Sequence, residues 1–231
     1  MMVAIHQPNY MPWLGYFYKI ARSNVFVFLD KVQIPRGRSY CYRSKIKTQS
    51  GSKWMSVPIA RAGLDLLDVN ICDVRIDSSK NWQERHLGML HAAYSKSPYF
   101  REMFDIVQDI LVRNWEKLAE LNEMLIREIV GMLEITDVTF TRMSALEAKG
   151  HSTSLLIDIC KKFGATHYLS GMGGAKYQDS EEFLENGISV IYSDFKHPQY
   201  EQRWGEFVKN LSILDLLFNC GRRETRRLLM Q

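Results

Sequence analysis

The chain has 231 residues, of which 46% are hydrophobic and 24% are charged, and its formal net charge is +4 at pH 7. This composition is typical of a globular protein with a full core, and the mild charge does not match the basic stripe of a dedicated nucleic-acid binder. No apolar run reaches the roughly 18 residues that span a bilayer, and the four cysteines are too far apart for a Cys-x-x-Cys zinc site. Because Met1 leads directly into a strand, we expect no signal peptide and a cytoplasmic location.

The N-terminal segment predicts a β-α-β unit. Residues 3–7 form an apolar run typical of a buried strand, and residues 13–22 form an aromatic-rich helix. Residues 24–29 are β-branched and aromatic and end at Asp30, which predicts a second strand. Two such strands are expected to lie parallel, joined by a right-handed crossover.

The middle of the chain changes character twice. Alternating residue types in segments 40–48 and 53–59, separated by a Gln-Ser-Gly-Ser turn, predict an antiparallel hairpin, and 74–76 is a further candidate strand. Residues 82–94 then predict one helix, and an apolar period near 3.6 over 99–133 predicts two more.

The last third returns to alternating strands and helices. Strands are predicted at 138–141, 166–170 and 188–192, and helices at 152–163, 181–186 and 211–218. The fold class is therefore α/β, with a mostly parallel, Rossmann-like sheet. We predict a single α/β domain over 1–231, with an inserted hairpin region at 36–78 and a helical insertion at 81–134.

Polar side chains follow several predicted strands at the point where each strand ends. They are His6 and Gln7, Asp30, Thr141 and Arg142, Ser170 with its glycines, and Asp194. Open α/β sheets bind ligands at the carboxyl ends of their strands, so these residues are expected to surround one crevice. His6 is the candidate acid or base because imidazole changes charge near neutral pH, and Asp30 is the second candidate catalytic residue. A hydrogen-bonded structural histidine is the alternative.

The first helix and the glycine-rich segment supply candidate substrate-binding residues. Tyr10, Trp13 and Tyr16 offer stacking faces for a base or sugar, although aromatic residues at this spacing also form core stripes. Lys19 lies about two helical turns past Pro12 and is a candidate anion ligand or, alternatively, a surface lysine. The candidates after the fourth predicted strand of the sheet are Ser170, Gly171, Gly173, Gly174 and Tyr177. This segment lacks both the Walker and the Gly-x-Gly-x-x-Gly pattern, so a substrate cradle and a simple tight turn both stay open.

The hairpin is locally basic. Strand alternation puts Arg43, Lys45 and Lys47 on one face, which could meet an acidic ligand such as a nucleotide-linked sugar. A solvated edge strand is an equal alternative. We find no metal-ligand set in the sequence, and Cys41 stays open as a nucleophile.

Several motifs resemble those of the WbqC-like protein family. They begin with His6-Gln-Pro-x-Tyr-x-Pro-Trp-x-Gly-Tyr-Phe-x-Lys-Ile20 and continue through the Asp30-x-Val32-Gln33 segment, Arg43-x-Lys45-Ile46-Lys47, Ser170-Gly171-x-Gly173-Gly174-x-x-Tyr177 and Leu211 to Gly221. The resemblance covers nearly the whole chain and adds Gln33 to the candidate substrate-binding residues. It implies a role in bacterial surface-polysaccharide biosynthesis, including O-antigen, without a settled reaction.

Two functions are consistent with these features. The leading hypothesis is a transferase that moves an acyl or aminoacyl group to a nucleotide-linked or lipid-linked amino sugar. The alternative is a non-catalytic binding or scaffold protein of a glycan pathway, whose crevice would be filled by its own side chains. The expected partners are the sugar substrate and an acyl or aminoacyl donor, with a homodimer as a further candidate and no nucleic acid. The sequence identifies no cofactor.

Overall fold

The computed structural model describes residues 1–35, 37–60 and 69–231. In chain order its strands are β1 (Met2–His6), β2 (Val25–Phe28), β3 (Arg43–Thr48), β4 (Gly51–Ser56), β5 (Thr139–Arg142), β6 (His167–Ser170) and β7 (Ser189–Tyr192). Its helices are α1 (Leu14–Ala21), α2 (Trp82–Tyr94), α3 (Phe100–Leu111), α4 (Leu118–Met132), α5 (Ser152–Lys162), α6 (Ser180–Glu185) and α7 (Ile213–Met230).

Five of the strands form one parallel sheet in the order β5-β2-β1-β6-β7. Counted along the sheet's own strands this is 3-2-1-4-5, the order of the first five strands of a Rossmann sheet, so the predicted α/β class and parallel sheet are confirmed. β1 is the central strand because it pairs with β2 on one side and with β6 on the other.

The two central strands divide their side chains between two separate cores. Ala4 and Phe26 belong to a core that also contains side chains of α1, α4 and α7, whereas Val3 and Val25 belong to a second core with side chains of α5 and α6. Alternation along a strand sends neighbouring residues to opposite faces, and a parallel sheet covered on both faces needs apolar residues at every position. This is why the first strand has the sequence Met-Val-Ala-Ile rather than an alternating one.

The predicted hairpin is present as a separate two-stranded antiparallel sheet of β3 and β4. Its turn is shorter than expected, because Thr48 pairs with Gly51 across only two residues. No strand forms at 74–76, contrary to the prediction. Residues Ile71–Asp73 form a 3₁₀ turn instead, and Arg75 and Ile76 make only isolated bridges, to Lys117 and Ile59.

The three helices predicted between residues 82 and 133 are confirmed as α2, α3 and α4. Residue 36 and residues 61–68, which fall in the predicted hairpin region, lie outside the described residues. The description of the chain as one domain with two insertions stays a prediction. Within the described ranges, no helix combines the length and the apolar character that crossing a membrane requires.

The last helix differs most from the prediction. It was expected to end at residue 218, but helical structure continues to Met230 across a break at Gly221, where φ is 74° and ψ is 172°. This conformation is essentially restricted to glycine. A Cβ atom at Gly221 would lie 2.7 Å from the ring of Tyr99, so both the backbone and the packing require glycine there.

We expect Gly221→Ala to lower the free energy of unfolding by about 1–3 kcal/mol, because alanine must adopt a strained backbone conformation against the Tyr99 ring. Gly88→Ala in α2 is the matched control. No atom lies within 4 Å of a Cβ built at that helical position, and there we expect alanine to stabilise the protein by about 0.4–1 kcal/mol. Urea unfolding of both variants checks this, and equal effects would contradict it.

Candidate functional site

A crevice opens at the position in the sheet where the strand order reverses. β1 leads through α1 to β2 on one side, and β6, its neighbour on the other side, leads away to β7. Connections that diverge from two adjacent parallel strands leave a space above their carboxyl ends, which is where such sheets bind ligands. The space has a volume of about 570 Å³. It is lined by Ile5, His6, Gln7, Lys19, Leu29, Leu156, Tyr168, Ser170, Gly171, Gly173, Gly174, Tyr177 and Gln178.

A second, smaller cavity of about 260 Å³ shares His6, Lys19, Gly171 and Gly173 with the crevice. Its remaining walls are Trp13, Gly15, Tyr16, Met172, Ser193 and Phe195. Trp13 and Phe195 meet edge to face with their ring centroids 5.3 Å apart. The smaller cavity is therefore an aromatic extension of the crevice. The volume of the larger cavity is within the range of small-molecule sites.

Most of the predicted site residues are brought together here. Those that line at least one of the two cavities are His6, Gln7, Trp13, Tyr16, Lys19, Ser170, Gly171, Gly173, Gly174 and Tyr177. The crevice between these residues is open, so it does not match the scaffold alternative, in which side chains of the protein fill it.

Lys19 lies at the centre of the site, shared by both cavities. It belongs to the last turn of α1, is 5% exposed, and donates from Nζ to the backbone carbonyl of Ile5 over 3.2 Å. Within residues 1–35, 37–60 and 69–231, no carboxylate forms an ion pair with it. Burial lowers the pKa of this ammonium group to about 8 because a low dielectric disfavours the charged form. Lys19 is thus a buried cation that lacks a counter-charge.

His6 is uncharged at neutral pH. Its pKa is lowered to about 3, first by burial and then by the positive charge of Lys19. Nδ1 lies 3.1 Å from the backbone carbonyl of Gln7. Since a carbonyl can only accept, we assign the proton to Nδ1, which leaves Nε2 as the nitrogen that accepts. The edge of the ring packs against Tyr16, with centroids 4.8 Å apart.

The loop between β1 and α1 is fixed by hydrogen bonds to its carbonyl groups. The hydroxyl of Tyr16 donates to the carbonyl of Gln7 over 3.0 Å, and Asn122 of α4 donates to that of Pro8 over 2.9 Å. Ser44 of β3 donates to the carbonyl of Met11 over 2.7 Å. His6 and Gln7 are therefore held in position by the helical segment and the hairpin as well as by the sheet.

The glycine-rich segment is attached to β6 by a short chain of side chains. Ser170, 1% exposed, donates from Oγ to Oε1 of Gln178 over 2.7 Å, and Nε2 of Gln178 donates to the hydroxyl of Tyr168 over 3.1 Å. Gly174 lies against this chain, where a Cβ would collide with Ser170 and Gln178, whereas a Cβ at Gly173 would meet open space. Gly174 is thus needed for packing, and Gly173 keeps the crevice open.

Asp30 lies outside both cavities. It is 1% exposed, and Ser144 donates to both of its oxygens, from the backbone nitrogen over 2.8 Å and from Oγ over 2.5 Å. These bonds tie the end of β2 to the turn after β5 and occupy the carboxylate. At the same edge, Glu123 of α4 accepts from Nε of Arg142 over 2.8 Å. The polar residues at the strand ends do lie along one edge of the sheet. They form two separate groups, a crevice at β1 and β6 and a closed polar cluster at β2 and β5.

Two other predicted binding residues also lie elsewhere. Tyr10 is 1% exposed and packs in the core, where its hydroxyl is 2.8 Å from Nδ1 of His86. Gln33 is exposed and makes an isolated bridge with Asn70. The sequence left open whether these three aromatic residues line a pocket or belong to the core. Trp13 and Tyr16 line the smaller cavity, although Tyr16 is only 2% exposed, whereas Tyr10 lies in the core.

Arg43 and Lys45 lie on the hairpin and line neither cavity. They flank Trp54, with the guanidinium of Arg43 4.0 Å and Nζ of Lys45 5.9 Å from the ring centroid. Lys47, expected on the same face, is 2% exposed because the segment containing Gln202 covers it and accepts from its Nζ over 3.1 Å.

Cys41 is an unsuitable nucleophile in this structure. Its side chain is fully buried, and burial raises the pKa of the thiol to about 11. Sγ lies 3.6 Å from Oε1 of Gln7. The thiol contributes to the packing behind the β1–α1 loop rather than to the crevice.

Sequence reasoning missed two parts of the site. Gln178 lies just past the glycine-rich segment, and its position after that segment was the available signal. Ser193 and Phe195 follow the last strand, where Asp194 was singled out instead. That carboxylate accepts from the hydroxyl of Tyr18 over 2.6 Å, and this hydrogen bond lowers its pKa. In the part of the chain that the structure describes, no three His, Cys, Asp or Glu side chains are grouped as metal ligands.

The strand order and the position of the crevice define an α/β protein with a Rossmann-like sheet and a crevice at its switch point. Residues 7–227 match the profile of the WbqC-like protein family, and the chain belongs to that family. It is 35% identical over 224 residues to the Mycobacterium tuberculosis protein named "Uncharacterized protein Rv1507c", a match that covers 95% of this chain and 94% of that protein. No solved structure matches the chain significantly.

The folded protein should lose stability as pH falls from about 6.5 to 4, in part because the unfolded chain protonates His6 and the folded protein does not. The contribution is up to about 3 kcal/mol. Urea unfolding across this range should show a shallower pH dependence for His6→Gln than for the wild type. Equal slopes, or an imidazole that titrates above pH 6 in the folded protein by NMR, would contradict the assignment of a neutral His6.

Adjacent glycines should respond differently to alanine. Gly174→Ala should reduce the free energy of unfolding by about 1–3 kcal/mol, because the new methyl group collides with Ser170 and Gln178. Gly173→Ala, its matched control, should change stability by less than about 0.5 kcal/mol because its methyl group enters the crevice. Chemical denaturation of the pair measures both, and a destabilised Gly173→Ala variant would argue against an open crevice at that residue.

Proposed function

We propose that this protein is a transferase of bacterial surface-polysaccharide biosynthesis, O-antigen included. It binds a nucleotide-linked or lipid-linked amino sugar in the crevice and transfers an acyl or aminoacyl group to the amino group of that sugar. The family to which the chain belongs supports the pathway, and the residues of the crevice support the kind of substrate.

The observation that carries the proposal is the buried ammonium group of Lys19. A charge removed from water is costly unless an opposite charge or several hydrogen bonds compensate it. Here one backbone carbonyl of Ile5 is the partner, and the side chain borders both cavities. A phosphate in the crevice would supply the missing negative charge. A sugar linked to a nucleoside diphosphate or to a lipid diphosphate carries such a group next to the sugar ring.

The two cavities suggest how such a substrate would lie. A diphosphate at Lys19 stands between them, so one end of the ligand occupies the larger crevice and the other the aromatic cavity. The part-exposed ring of Trp13 suits the C–H face of a sugar ring or the face of a base, whereas Tyr16 is 2% exposed and supports the cavity from the core. Ser170 and the backbone around Gly171 and Gly173 offer polar contacts at the other side.

His6 is the acid or base in this proposal. When the amino nitrogen of the sugar forms a bond to the acyl carbon, the bond from that carbon to the leaving group breaks and the nitrogen must lose a proton. Nε2 of neutral His6 accepts that proton and later returns it to the leaving group or to solvent. A diphosphate beside Lys19 also raises the basicity of His6, because it offsets the positive charge that lowers the pKa of the imidazole.

Asp30 has a positioning role here rather than contact with substrate. Its carboxylate is held by Ser144, and that pair fixes the end of β2 next to β1. The open crevice argues against the scaffold form of the alternative, which predicts a crevice filled by its own side chains.

Lys19→Met should produce two opposite effects. Without ligand it should stabilise the protein by on the order of 2 kcal/mol, because the buried charge is replaced by an apolar side chain of similar length. It should abolish the thermal stabilisation that uridine or guanosine diphosphate and their amino-sugar conjugates give the wild type. Lys80→Met, at a largely exposed lysine, is the control and should change neither quantity.

The affinity of the protein for nucleoside diphosphates and their sugar conjugates should depend on pH. A bound diphosphate raises the pKa of Lys19 above about 8, so binding near pH 8 takes up a proton and affinity falls at higher pH. Calorimetry in two buffers of different ionisation enthalpy measures that uptake. The proposal fails if no nucleotide or nucleotide-linked sugar stabilises the wild type, or if Lys19→Met binds these ligands as the wild type does.

A further inference from the structure

The segment that contains the two hairpin strands, residues 31–60, carries only positive charge in the sequence. Between residues 31 and 60 every charged residue is Lys or Arg, and Asp and Glu are absent. Because the whole chain has a net charge of only +4, the remainder of the molecule is net acidic. This segment contributes seven positive charges and the rest of the chain a net charge of −3, so the excess positive charge of the protein lies in the segment.

Part of this charge forms a compact surface with exposed aromatic residues. Lys45 and Trp54 are direct cross-strand partners, so they share one face of the hairpin, and Arg43 lies two residues along the same strand. The Arg43 guanidinium covers the ring of Trp54 at 4.0 Å, and Tyr40 meets the same ring with centroids 5.6 Å apart. Trp54 is 37% and Tyr40 is 49% exposed. We call Tyr40, Arg43, Lys45 and Trp54 the hairpin patch.

A second group of arginines near the C-terminus offers an instructive contrast. Arg222 pairs with Glu102 over 3.4 Å, and Arg226 pairs with Glu134 over 2.6 Å. That cluster is therefore largely neutralised by its own protein. In the hairpin patch, by contrast, neither cation forms an ion pair with a carboxylate of the described residues.

We propose that the hairpin patch docks this protein on the surface of an anionic membrane. Lysine and arginine side chains near such a surface are attracted by its negative potential, and tryptophan and tyrosine favour the level of the lipid headgroups because their rings are amphipathic. The hairpin patch contains two cationic residues, Arg43 and Lys45, and two amphipathic aromatic residues, Tyr40 and Trp54. Its occupant is a layer of anionic phospholipid headgroups, and the aromatic rings lie at the headgroup level.

A nucleic acid is a poorer match to the same residues. Single strands bind by stacking bases on free aromatic faces. One face of Trp54 is covered by Arg43, and the other ring of the patch, Tyr40, meets Trp54 at an interplanar angle of 61°. The patch thus lacks the parallel, uncovered rings that successive bases need.

The patch is connected to the aromatic cavity through Ser212. The carbonyl of Lys45 accepts from the backbone nitrogen of Ser212 over 2.8 Å, and Ser212 makes a bridge with Trp13, which lines the aromatic cavity. Docking through the hairpin would therefore place that cavity near the membrane. The inference concerns surface binding alone and does not depend on the transferase activity proposed above.

Cosedimentation with vesicles tests the proposal. The full-length wild type should bind vesicles of equal parts phosphatidylcholine and phosphatidylglycerol, bind vesicles of phosphatidylcholine alone much more weakly, and lose binding at high salt. The double variant Arg43→Gln, Lys45→Gln should bind the anionic vesicles about 30-fold more weakly, from about tenfold per 1.4 kcal/mol and about 1 kcal/mol per cation.

The matched control is the double variant Arg222→Gln, Arg223→Gln, which removes the same charge from the C-terminal cluster. It should retain nearly all of the vesicle binding. Thermal unfolding of both double variants establishes that they are folded, and Trp54→Ser supplies a second test because it should weaken vesicle binding without a change of net charge.

Three results would overturn the proposal. They are an absence of binding to anionic vesicles, equal binding to neutral and anionic vesicles, and a loss in the C-terminal control as large as that in the hairpin variant. Binding of a labelled single-stranded oligonucleotide is measured in parallel, as a test for nucleic acid as the ligand of the patch. Tight binding of that oligonucleotide, lost in the hairpin variant while vesicles do not bind, would assign the patch to nucleic acid instead.

Discussion

The site depends on the short loop that joins the central strand to the first helix. Two prolines, Pro8 and Pro12, leave this loop with few N–H donors, so its carbonyl groups must find donors on other elements. Tyr16, Asn122, Ser44 and the backbone of Ile213 supply them, from α1, α4, β3 and α7 respectively. The hairpin, α4 and α7 thus hold this loop in place, which explains why elements that are distant in sequence pack around it.

Electrostatic strain is localised at the same place. A neutral histidine and a buried ammonium group line the same crevice. Burial and then the positive charge of Lys19 lower the pKa of His6, whereas burial alone lowers the pKa of Lys19. The buried carboxylate of Asp215 is better partnered, because it accepts from the hydroxyls of Tyr94 and Tyr200 at 2.8 Å each. Among the residues described, the ammonium group of Lys19 lacks a counter-charge that a ligand could supply, whereas the carboxylate of Asp215 is already partnered within the fold.

The sequence predicted the parallel sheet because fully apolar runs alternated with helical periods, a pattern determined by local residue choice. It also predicted which residues follow the strands. It could not predict strand order, so Asp30 was grouped with His6 although β2 and β5 direct it to Ser144. Tyr10 and Tyr16 are chemically alike, and only packing against His86 or the cavity distinguishes them. The predicted length of helix α7 was too short because the break at Gly221 resembles a helix end in the sequence.

The pairing of β1 with β6 has a consequence for synthesis on the ribosome. β1 emerges well before its partner β6, which ends at Ser170, more than half of the given chain later. Until then the backbone N–H and C=O groups along one edge of β1 are unpaired, a state that favours association with other chains. The nascent protein therefore depends on its early helices, or on a chaperone, to cover that edge, and a truncated product would expose it permanently.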